Sequence, residues 1–288
     1  MSATESRVDT AKLPNFIYIG PDKAGSSWLH EMLIRHPEVY LTPAKDLYFF
    51  DRYFDRGLGW YAEQFKGAHA GHKIVGEICQ DYLFDPAAPA RIAASLGQVR
   101  TMVSLRDPVE RAWSSWLYAR KHGMWPDEFL TALREVPELL EHGRYAAGLD
   151  RFTEHFPRDS VHIAVFDDLT ADPQRFLDAT TDFLGIDRLP LSAEEREPTL
   201  AAASARSMSV AHAARRAADV ARELGAARLI GVVKRSALVH KVLYRPIDKA
   251  AVRPDEQAVD FIKTALAQDV RRLDSDYGQR VVDRWGWA

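Results

Sequence analysis

The stretch FIYIGPDKAGSS, residues 16–27, joins a short apolar run to a loop with two glycines and then to two hydroxyl residues. The apolar run predicts a β-strand that ends at Gly20, and the apolar residues that follow Ser26 have helical spacing as far as Pro37. A loop between a strand and a helix presents free backbone N–H groups at the positive end of the helix dipole. We therefore predict that this loop binds a phosphate group.

The alternation of strand and helix continues along the chain. Further strands are predicted at 73–76, 101–105 and 161–166, and each is followed by a helical stretch, with Pro108 and Pro173 in the first helical turns. Such alternation predicts a single α/β domain over residues 1–288, with a central parallel sheet flanked by helices.

The two ends of the chain have a different pattern. Residues 1–14 are predicted to be a disordered N-terminus. Helical periodicity at 200–225 and 255–273 predicts a helical C-terminal portion. The stretch 189–209 contains prolines and few large apolar residues, so we predict that it is the most mobile loop.

Composition narrows the class of protein and of partner. The chain of 288 residues has a net charge of −3 and 47% hydrophobic residues, as in an ordinary globular protein. This charge gives no reason to expect nucleic acid or an anionic membrane as partner. The single Cys79 excludes an intramolecular disulfide and argues against a cysteine zinc site. Polar residues 1–12 and the lack of a long apolar window predict a cytoplasmic protein without membrane insertion, and the Arg- and Ala-rich composition favours a bacterial source.

The position of the loop lysine discriminates between classes of phosphate-binding loop. In nucleoside-triphosphate loops the lysine directly follows the second glycine, but here Ser26 occupies that position and Lys23 lies inside the loop. This shift argues against a kinase or ATPase, which need that lysine on the β- and γ-phosphates. A simple turn in which Gly25 and Ser26 cap the helix remains an alternative.

A second phosphate motif is predicted where the third strand ends, in the stretch LRDPVERAWS of residues 105–114. Arginine offers a planar fork of donors that suits phosphate, and the start of a helix adds further N–H groups. Read without other information, Arg106 and Asp107 could equally form a structural ion pair.

These two motifs resemble those of the sulfotransferases that use 3′-phosphoadenosine 5′-phosphosulfate (PAPS). In that family a mid-loop lysine and two hydroxyl residues bind the 5′-phosphosulfate, and an arginine with a serine eight residues later binds the 3′-phosphate. The resemblance implies a P-loop-like sulfotransferase fold, PAPS as cosubstrate, the bisphosphate PAP as product, and no metal. It also implies a set of donor-binding residues, namely Lys23, Ala24, Gly25, Ser26, Ser27, Trp28, Arg106 and Ser114.

The stretch KDLYFFD, residues 45–51, and GLGWY, residues 57–61, resemble the heparan-sulfate-type branch and its bacterial relatives. In that branch a glutamate is the proposed base, and Asp46 occupies its position here. A carboxylate base makes chemical sense because an acceptor hydroxyl must lose its proton to attack. Asp46 could instead be a surface acid that pairs with Lys45.

The stretch GEICQDY, residues 76–82, departs from the motif of this branch, because Ile78 stands where relatives often have lysine and the following proline is missing. The chain also has no histidine between His72 and Arg106, so a carboxylate is favoured over an imidazole as the base. The residues expected to contact the acceptor are Tyr48, Asp51, Glu77 and Asp81, with the two acids Glu77 and Asp81 as reserve candidates for the base.

The resemblance extends over residues 15–187 and is vaguer beyond, where Arg206 and Lys234 are candidates to close on the adenine and the 3′-phosphate. It implies sulfuryl transfer from PAPS to a hydroxyl or amine, with Lys23 and Asp46 as the catalytic residues. The expected acceptor is a small molecule or glycoconjugate, as in bacterial natural-product biosynthesis. A kinase-like phosphoryl transferase and a non-catalytic adenine-nucleotide-binding regulator are the alternatives, and the oligomeric state stays open.

Overall fold

The structure is a computed structural model that describes residues 13–196 and 253–288, together with two short strands at 203–205 and 244–246. Its strands are β1 (Phe16–Gly20), β2 (Val39–Leu41), β3 (Ile74–Ile78), β4 (Arg100–Leu105), β5 (Val161–Val165), β6 (Ala203–Ala205) and β7 (Tyr244–Pro246). Its α-helices in these ranges are α1 (Ser26–Leu33), α2 (Gly57–Glu63), α3 (Ala88–Leu96), α4 (Pro108–Lys121), α5 (Phe129–Glu135), α6 (Glu138–Glu141), α7 (Tyr145–Thr153), α8 (Phe166–Ala171), α9 (Pro173–Leu184), α10 (Glu256–Ser275) and α11 (Val281–Arg284). Two 3₁₀ turns, Phe54–Arg56 and Arg158–Ser160, complete the set.

The central sheet has five parallel strands in the order β2-β3-β1-β4-β5. The predicted α/β class with a parallel, helix-flanked sheet is therefore confirmed. The chain passes from β3 on one side of β1 to β4 on the other, which creates a switch point above the carboxyl end of β1. Ligands of open parallel sheets bind at such a point. The loops that follow β1, β3 and β4 therefore meet where the phosphate motifs were expected.

Helices cover both faces of the sheet because the central strands are apolar on both sides. In β1, Ile17 and Ile19 belong to a large core cluster that includes residues of α3, α4, α7 and α10. Phe16 and Tyr18 belong to a second cluster with residues of α1 and α9. All five residues of β1 are buried, so the strand that carries the phosphate loop is fixed from both faces.

Some of the helices begin with a side-chain cap, whereas others, α1 among them, do not. The helices α4, α9 and α10 begin after aspartates whose carboxylates accept a hydrogen bond from a first-turn N–H group. Pro108 and Pro173 occupy the first turns as predicted. Helix α1 begins after Gly25 without any side-chain cap, so its first N–H groups are available to a ligand.

Several differences from the sequence predictions have physical explanations. Strand β2 was not predicted because three residues are too few to show a strand pattern, and its pairing with β3 defines it. Residues 203–205, within a stretch predicted to be helical, form β6, which pairs antiparallel with β7. The predicted helix at 255–273 corresponds to α10. In the stretch predicted to be the most mobile loop, Leu191 is buried and its N–H donates to Gln174.

No helix in the described ranges has both the length and the apolar character needed to cross a membrane. Of the predicted disordered N-terminus, residues 1–12 lie outside the described part of the chain.

Candidate active site

The loop between β1 and α1 is built around glycines that no larger residue could replace. Gly20 has a φ of 132°, and a Cβ there would lie 2.5 Å from the carbonyl oxygen of Gln80. Gly25 has a φ of 89°, and a Cβ there would lie 2.5 Å from the side chain of Leu169. Lys23 also adopts a positive φ, of 60°, which is uncommon for a residue with a side chain. The loop is therefore held in one unusual shape.

The loop is anchored to α4 by a buried aspartate that was not singled out in the sequence. The Asp22 carboxylate accepts hydrogen bonds from Arg111, at 3.1 Å, and from the Ser115 hydroxyl, at 2.8 Å. Burial alone would raise the pKa of Asp22, but the Arg111 and Lys23 charges outweigh it and keep the pKa below its usual range. The only signal in the sequence is that Arg111 and Ser115 are four residues apart and so share one face of a helix.

The hydroxyl pair at the start of α1 has a cationic partner. The Lys45 ammonium donates to Ser26 Oγ at 2.9 Å and to Ser27 Oγ at 3.0 Å. Burial lowers the pKa of Lys45. The alternative in which Lys45 pairs with Asp46 is not seen among the ion pairs of the described residues. Lys45 therefore contacts the hydroxyl residues that follow the loop after β1, a position that its sequence context did not suggest.

The Lys23 ammonium lies on the opposite side of the loop. It sits 3.8 Å from the centroid of the Tyr118 ring, on α4. Burial lowers the pKa of Lys23 to about 8, and the charges of Lys45 and Arg106 act in the same direction against the opposing effect of Asp22. Three cationic side chains thus surround one short loop, an arrangement that favours a multiply charged anion.

Arg106, in the second predicted phosphate motif, contacts the loop that forms the first. Its guanidinium donates to the backbone carbonyl of Lys23 at 2.9 Å and lies 4.8 Å from the centroid of the Phe166 ring. Its partner Glu110, at 3.4 Å, is half exposed. The alternative ion pair with Asp107 is not formed, because Asp107 instead caps α4. Ser114 lies in the second turn of the same helix and is half-buried.

The remaining residues expected to bind the donor lie around this loop. Ala24 is fully buried. The Trp28 indole donates to the carbonyl of Glu195 at 3.3 Å and packs edge-on against Phe176. The closing candidates Arg206 and Lys234 lie outside the described residues. In the described part of the chain, no group of three or more His, Cys, Asp and Glu side chains could hold a metal ion.

Asp46, the expected base, lies beside the carboxyl end of β3. Its backbone has a φ of 61°, and its N–H donates to the carbonyl of Ile78 at 2.8 Å. Its carboxylate accepts from the backbone N–H of Gln80 at 3.3 Å. Because β3 is the neighbour of β1, this places the Asp46 segment next to the phosphate loop, where a base for the acceptor would be needed.

Three of the expected acceptor contacts cluster around Arg52. The guanidinium of Arg52 lies 4.0 Å from the centroid of the Tyr48 ring and forms an ion pair with Asp81. Burial raises the pKa of Asp81 to about 7, against the lowering effect of Arg52. The Asp51 carboxylate accepts from the backbone N–H of Arg52 at 2.9 Å, and burial raises its pKa. The Tyr48 hydroxyl accepts a hydrogen bond from the Gln80 side chain at 3.1 Å.

Glu77 is the fourth residue that was expected to contact the acceptor. It is fully buried in this structure, so its side chain is not accessible to an acceptor. Its Oε1 accepts from the hydroxyls of Tyr61, at 2.7 Å, and Tyr82, at 3.1 Å, while Oε2 has no partner. Burial raises the pKa of Glu77 to about 8, although both hydroxyls favour the charged form. The Tyr82 hydroxyl also accepts from the N–H of Phe49 at 2.9 Å. Glu77 therefore positions the segment that carries Asp46.

Comparisons with known proteins identify the family of the chain. The family model described as "Sulfotransferase domain" matches residues 13–219. The human heparan sulfate glucosamine 3-O-sulfotransferase 3B1 is 34% identical over 189 residues, which are 62% of this chain and 47% of the relative. The chain thus spans about half the length of that curated relative.

Two solved structures are similar in fold. A sulfotransferase from Alicyclobacillus acidocaldarius is 25% identical with a TM-score of 0.58, over 78% of this chain and 98% of that one. The mouse sulfotransferase SULT7A1 complexed with PAP has a TM-score of 0.55, over 96% of this chain and 89% of that one. At 15% identity the mouse protein supports the fold alone.

We expect the substitution Arg111→Met to destabilise the protein by about 3–5 kcal/mol, because it leaves the Asp22 carboxylate buried without its partner. The double variant Asp22→Asn/Arg111→Met should recover part of this loss. Urea unfolding measures both effects. The control Arg120→Met removes an exposed arginine from the same helix and should change the unfolding free energy little. Equal losses for Arg111→Met and Arg120→Met would contradict the anchoring role.

We expect Glu77 to make stability fall as the pH rises from about 4.5, its ordinary pKa, to about 8. In this range the unfolded chain releases the proton while the folded protein retains it. Glu77→Gln removes this titration, so its stability relative to the wild type should be higher at pH 8.5 than at pH 5, by on the order of 3 kcal/mol. Denaturant unfolding at the two pH values measures the difference. The exposed Glu63→Gln is the control, and a pH-independent difference for Glu77→Gln would refute the expectation.

Proposed function

We propose that this chain, which belongs to the sulfotransferase domain family by its match over residues 13–219, transfers a sulfuryl group from PAPS to an acceptor hydroxyl or amine. The product of the donor would be PAP. Because the chain covers only part of its curated relatives, the activity is inferred from its own site as well as from the family.

The contact between Arg106 and the carbonyl of Lys23 is the observation that carries this proposal. It brings the motif after β4 onto the loop after β1, so that one ligand with two separate phosphate groups could reach both. Nucleoside triphosphates carry their phosphates in one chain and do not need two such sites. The uncapped start of α1 and the cations around the loop after β1 favour the binding of an anionic group at that loop.

The proposed reaction is an in-line displacement at sulfur. The acceptor oxygen or nitrogen forms the new bond to sulfur while the bond to the bridging oxygen breaks, and the electron pair of that bond goes to the 5′-phosphate. Lys23, Ser26, Ser27 and the loop N–H groups would stabilise the charge that develops there. The acceptor proton would pass to the Asp46 carboxylate. No metal is required, because the donor lacks the β- and γ-phosphates that Mg²⁺ bridges.

The acceptor is proposed to bind beside Asp46, where Tyr48, Asp51 and Asp81 lie. A small molecule or a glycoconjugate fits this mixture of aromatic and carboxylate groups, since sugar rings stack on aromatic faces and hydroxyls donate to carboxylates. We extend the proposal to a bacterial natural product and to a cytoplasmic setting, on the grounds of the composition and the single cysteine.

A thermal-shift comparison of PAP, ATP and AMP tests the proposal. At a given concentration, a ligand that binds the folded state more tightly raises the melting temperature more, and a site for PAP should prefer the ligand with the 3′-phosphate. We expect PAP at millimolar concentration to raise the melting temperature by several degrees and AMP to have little effect. A larger shift with ATP and Mg²⁺ than with PAP would support a phosphoryl transferase instead.

We expect the affinity for PAP to fall as the pH rises through about 8, because Lys23 loses its charge with a pKa near that value. Below this pH the ammonium is protonated and available to the phosphate. Lys23→Arg keeps the charge and should move the fall to higher pH. Calorimetric titration with PAP at pH 7 and pH 9 measures both proteins, with Lys66→Arg as an exposed control. An unchanged pH dependence in Lys23→Arg would show that another group is responsible.

A further inference from the structure

Lys45 reaches the phosphate loop from a separate segment of the chain. It lies in the stretch that follows β2 and runs along the carboxyl end of β3. That stretch is fixed on both sides of Lys45, because the N–H groups of Thr42 and Asp46 donate to the carbonyls of Gly76 and Ile78. The Thr42 hydroxyl adds a hydrogen bond to the carbonyl of Ala44 at 2.8 Å. The Lys45 ammonium is therefore held by a rigid backbone rather than by an extended, mobile one.

The partners of this ammonium are neutral. Lys45 donates to the hydroxyls of Ser26 and Ser27, and within the described ranges it forms no ion pair with a carboxylate. The nearby carboxylates of Asp46, Glu31 and Asp22 favour its charged form without an ion pair to it, while burial opposes that form, so an anion in direct contact would stabilise the ammonium further. The nearby cations Lys23 and Arg106 add to the positive potential of this loop.

The hydrogen bonds also leave the hydroxyl protons available to a ligand. Each serine oxygen accepts from Lys45, so each hydroxyl proton is free to donate elsewhere. An ammonium has three protons, and two of them are used on Ser26 and Ser27. One ammonium proton and two hydroxyl protons therefore remain at the uncapped start of α1, next to its free N–H groups. This set of donors suits a tetrahedral anion.

In this structure the Lys23 ammonium packs instead on the Tyr118 ring at the α4 side of the loop. Two lysine side chains thus lie at this loop in separate positions. The ammonium of one packs against a ring on α4, and the ammonium of the other donates to the two serine hydroxyls.

We infer that Lys45 is a second cationic ligand of the donor, and that it binds the 5′-phosphosulfate end together with Ser26 and Ser27. This inference rests on the proposed function. In the transfer step Lys45 keeps its protons: the acceptor atom bonds to sulfur, the bridging oxygen leaves with the electron pair as part of PAP, and the acceptor proton goes to Asp46. Lys45 directly precedes that base in the chain, so one segment would supply both the ammonium that binds the donor and the carboxylate that takes the proton.

The test compares two ligands that differ only at the 5′ position, PAP and adenosine 3′-monophosphate. Lys45→Met should weaken PAP binding by about 10- to 100-fold, the effect of losing one charged hydrogen-bond donor. It should leave the binding of adenosine 3′-monophosphate within about 2-fold, since that ligand has no 5′-phosphate. Lys45→Arg should recover part of the PAP affinity because it keeps the charge. Calorimetric titration of the full chain measures all of these.

Lys66→Met is the matched control, because Lys66 is an exposed lysine paired only with exposed Glu63, and it should bind both ligands like the wild type. Circular dichroism and the melting temperature establish that each variant is folded. Should Lys45→Met unfold, Lys45→Gln carries the same comparison, since its amide can still donate to one hydroxyl.

The outcomes separate the two proposals. A wild-type protein that binds PAP no better than adenosine 3′-monophosphate overturns the proposed function and the role of Lys45 with it. A wild-type protein that prefers PAP, with an unchanged preference in Lys45→Met, overturns the role of Lys45 alone. An equal loss of affinity for both ligands assigns Lys45 a structural role and likewise overturns the inference.

Discussion

The buried ion pair between Asp22 and Arg111 is the constraint on which the rest of the site depends. It joins the loop after β1 to the helix that begins after β4, so the two segments cannot move independently. A buried pair of this kind is costly to separate, because the loss of either side chain leaves the other charge buried without its ion-pair partner. With α4 fixed against the loop, Arg106 at its start lies on the carbonyl of Lys23. One contact therefore sets the distance between both phosphate motifs.

The charges around the sheet switch point are divided between two sides. Cationic Lys23, Lys45 and Arg106 surround the loop after β1, whereas carboxylates such as Asp46 and Asp81 follow β2 and β3. This division suits a reaction in which one partner is a polyanion and the other must give up a proton. In the proposed reaction a donor anion would be attracted to the first side, and a proton would be accepted on the second.

The elements with strong local patterns could be predicted from the sequence, whereas the long-range contacts could not. Strand β1 and its loop were predicted because apolar runs, glycines and helix starts are local signals. The pairing of Asp22 with Arg111 joins residues 89 apart, and no local pattern reports it. The contact of Lys45 with Ser26 and Ser27 is also long-range, and the sequence suggested only a pairing with Asp46 as an open alternative. Glu77 was expected at the acceptor from its position in the resembling motif, and a strand buried on both faces has no alternation that could have shown its side chain to be inside.

At the position of Ile78 the resembling motif often has a lysine, and its replacement here gives Lys45 a possible function at the loop. In the resembling motif a lysine stands at this position, but Ile78 is fully buried in the cluster that contains Phe16 and Leu29. A charge there would lie in the apolar core, so this position cannot serve the donor. The segment next to β3 offers Lys45 instead, with its backbone fixed at Asp46 and its ammonium on the loop hydroxyls. With the role inferred for it, Lys45 would supply this positive charge from the neighbouring segment, directly beside the carboxylate that would take the proton.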